Sequence, residues 1–155
     1  MRHFAIIALG VLVTACTPEP EAVVQPAASV AVSSEQATFL ALLNAERANA
    51  GLSALSFSAA LNQAAVGHAN DMTARGYFAH RSPEGVIHSG RIRSAGCGAR
   101  ATGETIANGQ YSAESVLAGW LASPPHRAIL LDRKYGQIGL GRSGNTWVAK
   151  TANRC

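Results

Sequence analysis

Three short stretches each present one side chain able to move a proton or hold a cation. They are Tyr77-Phe-Ala-His-Arg-Ser-Pro-Glu-Gly85, Gly103-Glu-Thr-Ile-Ala-Asn-Gly109 and Gly119-Trp-Leu-Ala-Ser-Pro-Pro-His-Arg-Ala-Ile-Leu130, and their chemical residues are His80, Glu104 and His126. Two imidazoles and one carboxylate can hold a divalent metal such as zinc with a coordination position left open. A metal-bound water would then serve as nucleophile for hydrolysis. The same three groups could instead line a ligand cleft, or staple loops together. They are separated by 24 and 22 residues, so only the fold can bring them together. Each lies beside glycine, proline or aromatic residues that read as ends of elements, where side chains from different elements converge on one opening. Glu104 precedes the apolar Ile106-Ala107 and needs a partner in such a setting. That partner is His80 or a cation, or else the carboxylate pins its own loop by hydrogen bonds.

The other polar candidates are weaker. Ser82 and Ser123 with His126 suggest a serine hydrolase, but neither serine sits in a Gly-x-Ser-x-Gly elbow. No His-Glu-x-x-His helix and no dedicated general base stand out. His68 lies on the apolar face of a helix and reads as a hydrogen-bonded core histidine. Asp71 falls on a polar helix face, and His88 reads as a surface residue in a glycine-rich loop. Trp120 and Trp147 read as core anchors rather than ligand platforms.

The elements that must position these groups are legible in outline. Ser33-x-x-Gln36 is a capping box that starts a helix carrying Phe39, Leu40, Leu42 and Leu43, with Gly51 as its stop. A second helix follows Ser58, with Leu61, Ala64, Ala65, His68, Ala69 and Met72 on one face and Gly76 at its end. A short helix is expected around Ser89 to Ala95. Another follows Ser112, carries Val116, Leu117, Trp120 and Leu121, and stops at Pro124-Pro125. Ile138 and Leu140 alternate with glycines, Ser143-Gly144-Asn145 is a turn, and Thr146 to Thr151 is the returning strand. Helices flanking a small antiparallel sheet make an α+β layered domain of about 120 residues, from Ser34 to Cys155.

The order YF-x-H-x-SP-x-G, GE-x-IA-x-G, W-x-x-S-x-x-HR-x-x-I-L and Y-x-x-IGLG resembles the bacterial branch of the CAP superfamily. That superfamily includes the cysteine-rich secretory, antigen 5 and pathogenesis-related class 1 proteins. The match runs from about Phe39 to Trp147. The resemblance implies an α-β-α sandwich and a cleft holding His80, Glu104, His126 and the position of Ser123. In eukaryotic members a second glutamate lies three residues after the tryptophan. Here Ser123 stands there, so the set of two histidines and two glutamates lacks one acid. That loss argues against two-carboxylate acid/base chemistry. The step from tryptophan to His126 is also far shorter than in those members.

Arg2 and His3 precede an apolar run from Phe4 to Val13, too short for a membrane span of roughly 20 residues. This reads as a secretory signal over residues 1–15. Val13-Thr14-Ala15-Cys16 resembles a bacterial lipobox, which implies cleavage before Cys16 and lipid on that cysteine; the alternative is an ordinary signal cut that leaves a free thiol. Several acyl chains would anchor the protein stably. Thr17 in place of an aspartate favours an outer membrane if the cell has one. The expected location is the cell envelope, on its periplasmic or extracellular face. Residues 16–33, with Pro18, Pro20 and Pro26, read as a tether reaching roughly 50 Å when extended.

The chain has three cysteines. Giving Cys16 to lipid leaves Cys97 and Cys155 as an even pair for a disulfide in an oxidising compartment; two buried thiols are the alternative. The net charge is +4, from scattered cations, which does not suggest nucleic acid but allows attraction to anionic envelope polymers. Three functions therefore stand open. The favoured one is a monomeric, non-catalytic envelope module that binds a small apolar ligand, a peptide or a metal. The others are a metal-dependent hydrolase using the same cleft, and a structural envelope protein.

Overall fold

A computed structural model describes residues 32–155. The signal segment, Cys16 and all but the last two residues of the tether lie outside the described residues. The chain forms α1 (Ser34–Asn49), β1 (Ser56–Phe57), α2 (Ala59–Arg75), α3 (His88–Ser94), β2 (Thr102–Asn108), α4 (Ala113–Ala122), α5 (Pro124–Leu130), β3 (Gln137–Ser143) and β4 (Thr146–Ala152). The expected capping box forms: Gln36 N donates to Ser33 Oγ while the Gln36 side chain receives Ser33 N. α2 starts at Ser58 and ends on Gly76 at φ 66°, a left-handed conformation that glycine adopts without strain.

The sheet order is β1-β3-β4-β2. β3 and β4 form an antiparallel hairpin, β2 pairs antiparallel with β4, and β1 pairs parallel with β3. β4 is therefore interior, with all seven residues buried. β2 is an edge strand. One face of the sheet carries Ile138, Leu140, Trp147 and Ala149 against α1 and α4, where Phe39 and Trp120 pack edge to face at 5.7 Å. The other face carries Ile106 and Val148 against Ala65, Ala69 and Met72 of α2. The result is the expected α-β-α sandwich.

Gly139 and Gly141 on β3 make the second face possible. A Cβ on Gly139 would lie 2.1 Å from the backbone N of Asn62, and one on Gly141 2.2 Å from that of Val66. The sheet thus touches the backbone of α2 directly, a contact only glycine permits. On the other side, buried Arg47 bridges α1 to the C-terminal end of α5, donating to the carbonyls of Ser53, Leu130, Asp132 and Tyr135.

Two expectations change. Pro124 and Pro125 end α4 but also open α5, because proline fits the first turn of a helix, where its missing N–H would have no partner. His126 therefore sits in a helical first turn. Glu104 does not lie at a break between elements: it is the third residue of β2. The Cys97–Cys155 disulfide is formed, with a Cα–Cα distance of 4.6 Å.

Candidate functional site

Glu104 faces the α2 side of the sheet, and its antiparallel register places Lys150 of β4 directly opposite. Both side chains are buried, and Lys150 Nζ donates to Glu104 Oε2. Arg91 reaches in from α3, with Nη2 3.1 Å from the same oxygen. His80, on the segment between α2 and α3, brings Nδ1 within 2.7 Å of Oε1. One carboxylate thus gathers β4, α3 and the His80 segment. Burial alone would raise the Glu104 pKa; Lys150, His80 and Arg91 outweigh it and hold the carboxyl below its ordinary range. Burial pushes the Lys150 ammonium down, and the Glu104 charge opposes that shift.

Arg91 also ties the segment after His80 in place. Its guanidinium donates to the carbonyls of His80 and Val86 as well as to Glu104. Ser82 is used locally, its Oγ accepting from Val86 N. His68 is the buried core histidine the helix pattern predicts. Its Nε2 donates to the Ala79 carbonyl at 3.0 Å, and burial lowers its pKa to about 4. His88 is a correction. It opens α3 and is half-buried near Glu104, Lys150 and His80, because α3 folds back over the carboxylate instead of extending as a surface loop.

Ser123 and His126 lie in an adjacent groove of about 300 Å³, with Phe78, Trp120 and the β2 residues Ile106, Ala107 and Asn108. The groove runs along the unpaired edge of β2. Burial, and then the nearby His80, lower the His126 pKa. The Gln110 side-chain oxygen in this groove is buried and has no hydrogen-bond partner among the described residues. Trp120 and Trp147 are core residues with their indole N–H groups bonded to the Ile106 and Gln110 carbonyls. Trp120 additionally shows one side to the groove.

The expected four residues thus fall into two pairs. His80 and Glu104 are in contact, and Ser123 and His126 share the groove. Among the described residues no hydrogen bond joins the pairs, and no three His, Cys, Asp or Glu side chains are grouped to hold a metal. The three residues expected to share a metal, His80, Glu104 and His126, are thus divided between the two pairs. The Glu104 oxygens are already occupied by an ammonium, a guanidinium and an imidazole, and a divalent cation would have to displace like charges.

Lys150 and Arg91 are the site residues that motif reading misses. Lys150 carries a weak signal, as a lone cation in an apolar strand whose neighbours are Ala149 and Thr151. Arg91 carries none, being one of two arginines that flank Ile92 in a short basic helix.

Residues 40–150 match the model of the Cysteine-rich secretory protein family, CAP. The chain belongs to the CAP family. It is 34% identical over 118 residues to "Uncharacterized protein YkwD" of Bacillus subtilis (strain 168), covering 75% of this chain and 46% of that protein. It is 27% identical over 140 residues to "Uncharacterized membrane protein YlbC" of the same organism, covering 90% of this chain and 39% of the relative. The chain thus spans less than half the length of these curated relatives. An extracellular SCP-domain protein from Bacillus anthracis str. Ames has a crystal structure that superposes with a TM-score of 0.73 at 28% identity, over 75% of this chain and 39% of that one. An outer surface protein from Borrelia burgdorferi shares the fold, with a TM-score of 0.73 at 20% identity, over 81% of this chain and 97% of that one. These two proteins of solved structure are named as extracellular or surface proteins. Among the described residues, no helix is long and apolar enough to cross a membrane.

Proposed function

We propose that this chain is a lipid-anchored, extracytoplasmic CAP module that binds without catalysing, and that an extended peptide occupies the groove beside β2. One observation carries this reading. The groove lies along the edge of β2 that carries no further strand; Trp120 holds the Ile106 carbonyl there, and a peptide strand can pair with the other backbone groups of β2 that face away from β4. Phe78, 49% exposed, would cover apolar side chains of the peptide, and the unpartnered Gln110 oxygen would accept from it. Ser123 and His126 supply further hydrogen bonds.

Glu104 in this reading is a staple rather than a base. Its charge is spent on Lys150, Arg91 and His80, which hold the groove's neighbouring segment rigid. A metal-assisted hydrolase would need that carboxylate free.

The anchor rests on Val13-Thr14-Ala15-Cys16 and on the pairing of the two other cysteines with each other. Cys16→Ser is expected to move the protein from the membrane fraction to the soluble fraction or to stall its processing; membrane partition equal to wild type would exclude the anchor. Binding is tested by panning the purified domain against a random peptide library. Selected peptides should lose affinity about tenfold or more on Phe78→Ala or Ser123→Trp, while both variants keep the wild-type melting temperature. Peptides that bind both variants as well as wild type would place recognition elsewhere.

A further inference from the structure

A second opening lies between α2, the 82–86 segment and α3. Its volume is about 430 Å³, within the range of small-molecule sites of roughly 300–1,000 Å³. Its lining combines small apolar residues, Ala64, Gly67, Val86 and Ala95, with the buried His68 and the partly buried Arg91.

Those two groups are incompletely satisfied. His68 Nε2 faces a carbonyl oxygen, which can only accept, so Nε2 carries the proton and the neutral ring leaves Nδ1 as a bare acceptor. The His68 side chain is 0% exposed, and Nδ1 has no partner among the described residues. Arg91 spends both terminal nitrogens on Val86, His80 and Glu104, but its Nε–H is buried without an acceptor among the described residues. The two side chains stand together, since His68 Nε2 lies 4.0 Å, and Arg91 Nη2 3.1 Å, from the same Glu104 oxygen. Buried polar groups are normally paired, and leaving one unpaired costs about 1–3 kcal/mol.

The charges around the opening do not call for an ion. Arg75 is paired with Glu84 and Asp71, and Asp71 also accepts from the Tyr77 hydroxyl. What remains on offer is one acceptor and one donor beside small apolar surface. A secondary amide with a methyl or methylene neighbour answers both: its N–H donates to His68 Nδ1 and its carbonyl accepts from Arg91 Nε–H.

We propose that the opening between α2 and α3 is a binding site for an uncharged amide-bearing ligand, held by His68 Nδ1 and Arg91 Nε–H over the notch at Gly67. The amide can come from the acetamido group of an amino sugar or from a peptide unit, and the two are distinguishable by probe.

Gly67 makes a clean test. A Cβ there would meet nothing within 4 Å, so a larger side chain fills the opening without entering the core. The experiment titrates the isotopically labelled protein, with its disulfide intact, with N-acetylglucosamine, with N-acetylalanine methylamide and with glucose, following the Gly67 amide, the His68 ring nitrogens and the Arg91 Nε–H by NMR. Saturable shifts of these signals are expected with at least one of the two amides. The amide that saturates at lower concentration identifies the source. Glucose should leave them unmoved, and Gly67→Leu should weaken the response about tenfold or more while keeping the wild-type melting temperature or raising it. The site is refuted if neither amide gives saturable shifts, if glucose shifts the signals equally, or if Gly67→Leu binds like wild type.

Discussion

At the residue scale the decisive feature is a carboxylate that has no freedom left. Glu104 is buried with two cations and an imidazole around it, so removing it strands Lys150 in the interior and takes a partner from the partly buried Arg91. Breaking a buried pair in this way costs about 3–5 kcal/mol, whereas replacing both partners with neutral groups of similar size can be close to neutral. Glu104→Ala is therefore expected to lower unfolding free energy by that amount in urea titrations. Adding Lys150→Met should restore at least half of the loss; a strictly additive double mutant would show that the two residues do not act as a pair. His68 gives a prediction in pH. Burial lowers its folded pKa from 6.5 to about 4, so the unfolded chain binds a proton that the folded one refuses. Stability from this group is complete above pH 6.5 and is lost as pH falls towards 4, by about 3 kcal/mol. Glu104, also depressed, adds a loss in the same direction below its ordinary carboxylate pKa. Urea midpoints at neutral pH and at pH 4.5 measure the slope, and His68→Gln should flatten it. An unchanged slope in the variant would assign the acid sensitivity to other groups.

At the element scale, the positions of Gly139 and Gly141 explain why α2 can carry His68 so close to the sheet. Either glycine replaced by alanine forces a methyl group into helix backbone, which unlike a side chain cannot swing away. Each substitution is expected to cost more than about 4 kcal/mol or to prevent folding, as read by thermal denaturation and soluble yield. Gly67→Ala, on the open face of the same helix, should be neutral or stabilising by about 0.5–1 kcal/mol. Equal effects at Gly67 and Gly141 would refute the close contact. The same elements show what a linear reading can reach. α1, α2, α4 and the β3–β4 hairpin are visible because caps, helical spacing and a Gly-Asn turn are local signals. β1 has only two residues, too few to show any period. α5 is hidden because two adjacent prolines look like a stop, although proline also suits a first turn. His80 and Glu104 are legible through their motifs. Their partners Lys150 and Arg91 depend on strand register and on the return of α3, which are decided by tertiary packing and leave no trace in spacing.

At the scale of the whole molecule, the two cysteines within the domain join Cys155, just beyond β4, to the segment just after α3, across 58 residues. Cys97 is itself in the core, packed with Leu61, Ala64, Ile92 and Ala152. The bond thus holds the C-terminal end of β4, the start of α2 and the end of α3 as one corner. α3 carries Arg91, and Arg91 holds both the His80 carbonyl and Glu104. Opening the bond releases the segment after β4 first, and with it a constraint on α3. Chain-entropy reasoning puts the stabilisation from closing such a loop at about 4 kcal/mol. Two of the hydrophobic cores lie away from the bond, between α1, α4 and the sheet and between α2 and β4. Reduction is therefore expected to leave a folded protein with a clearly lower melting temperature, and to raise hydrogen exchange first over α3 and the last residues of β4. Alkylation of the two thiols should occur only after reductant is added. Equal exchange in α3 before and after reduction would mean that α3 is held by Arg91 and Ile92 alone, and the disulfide would then be a clamp on the segment after β4 and nothing more.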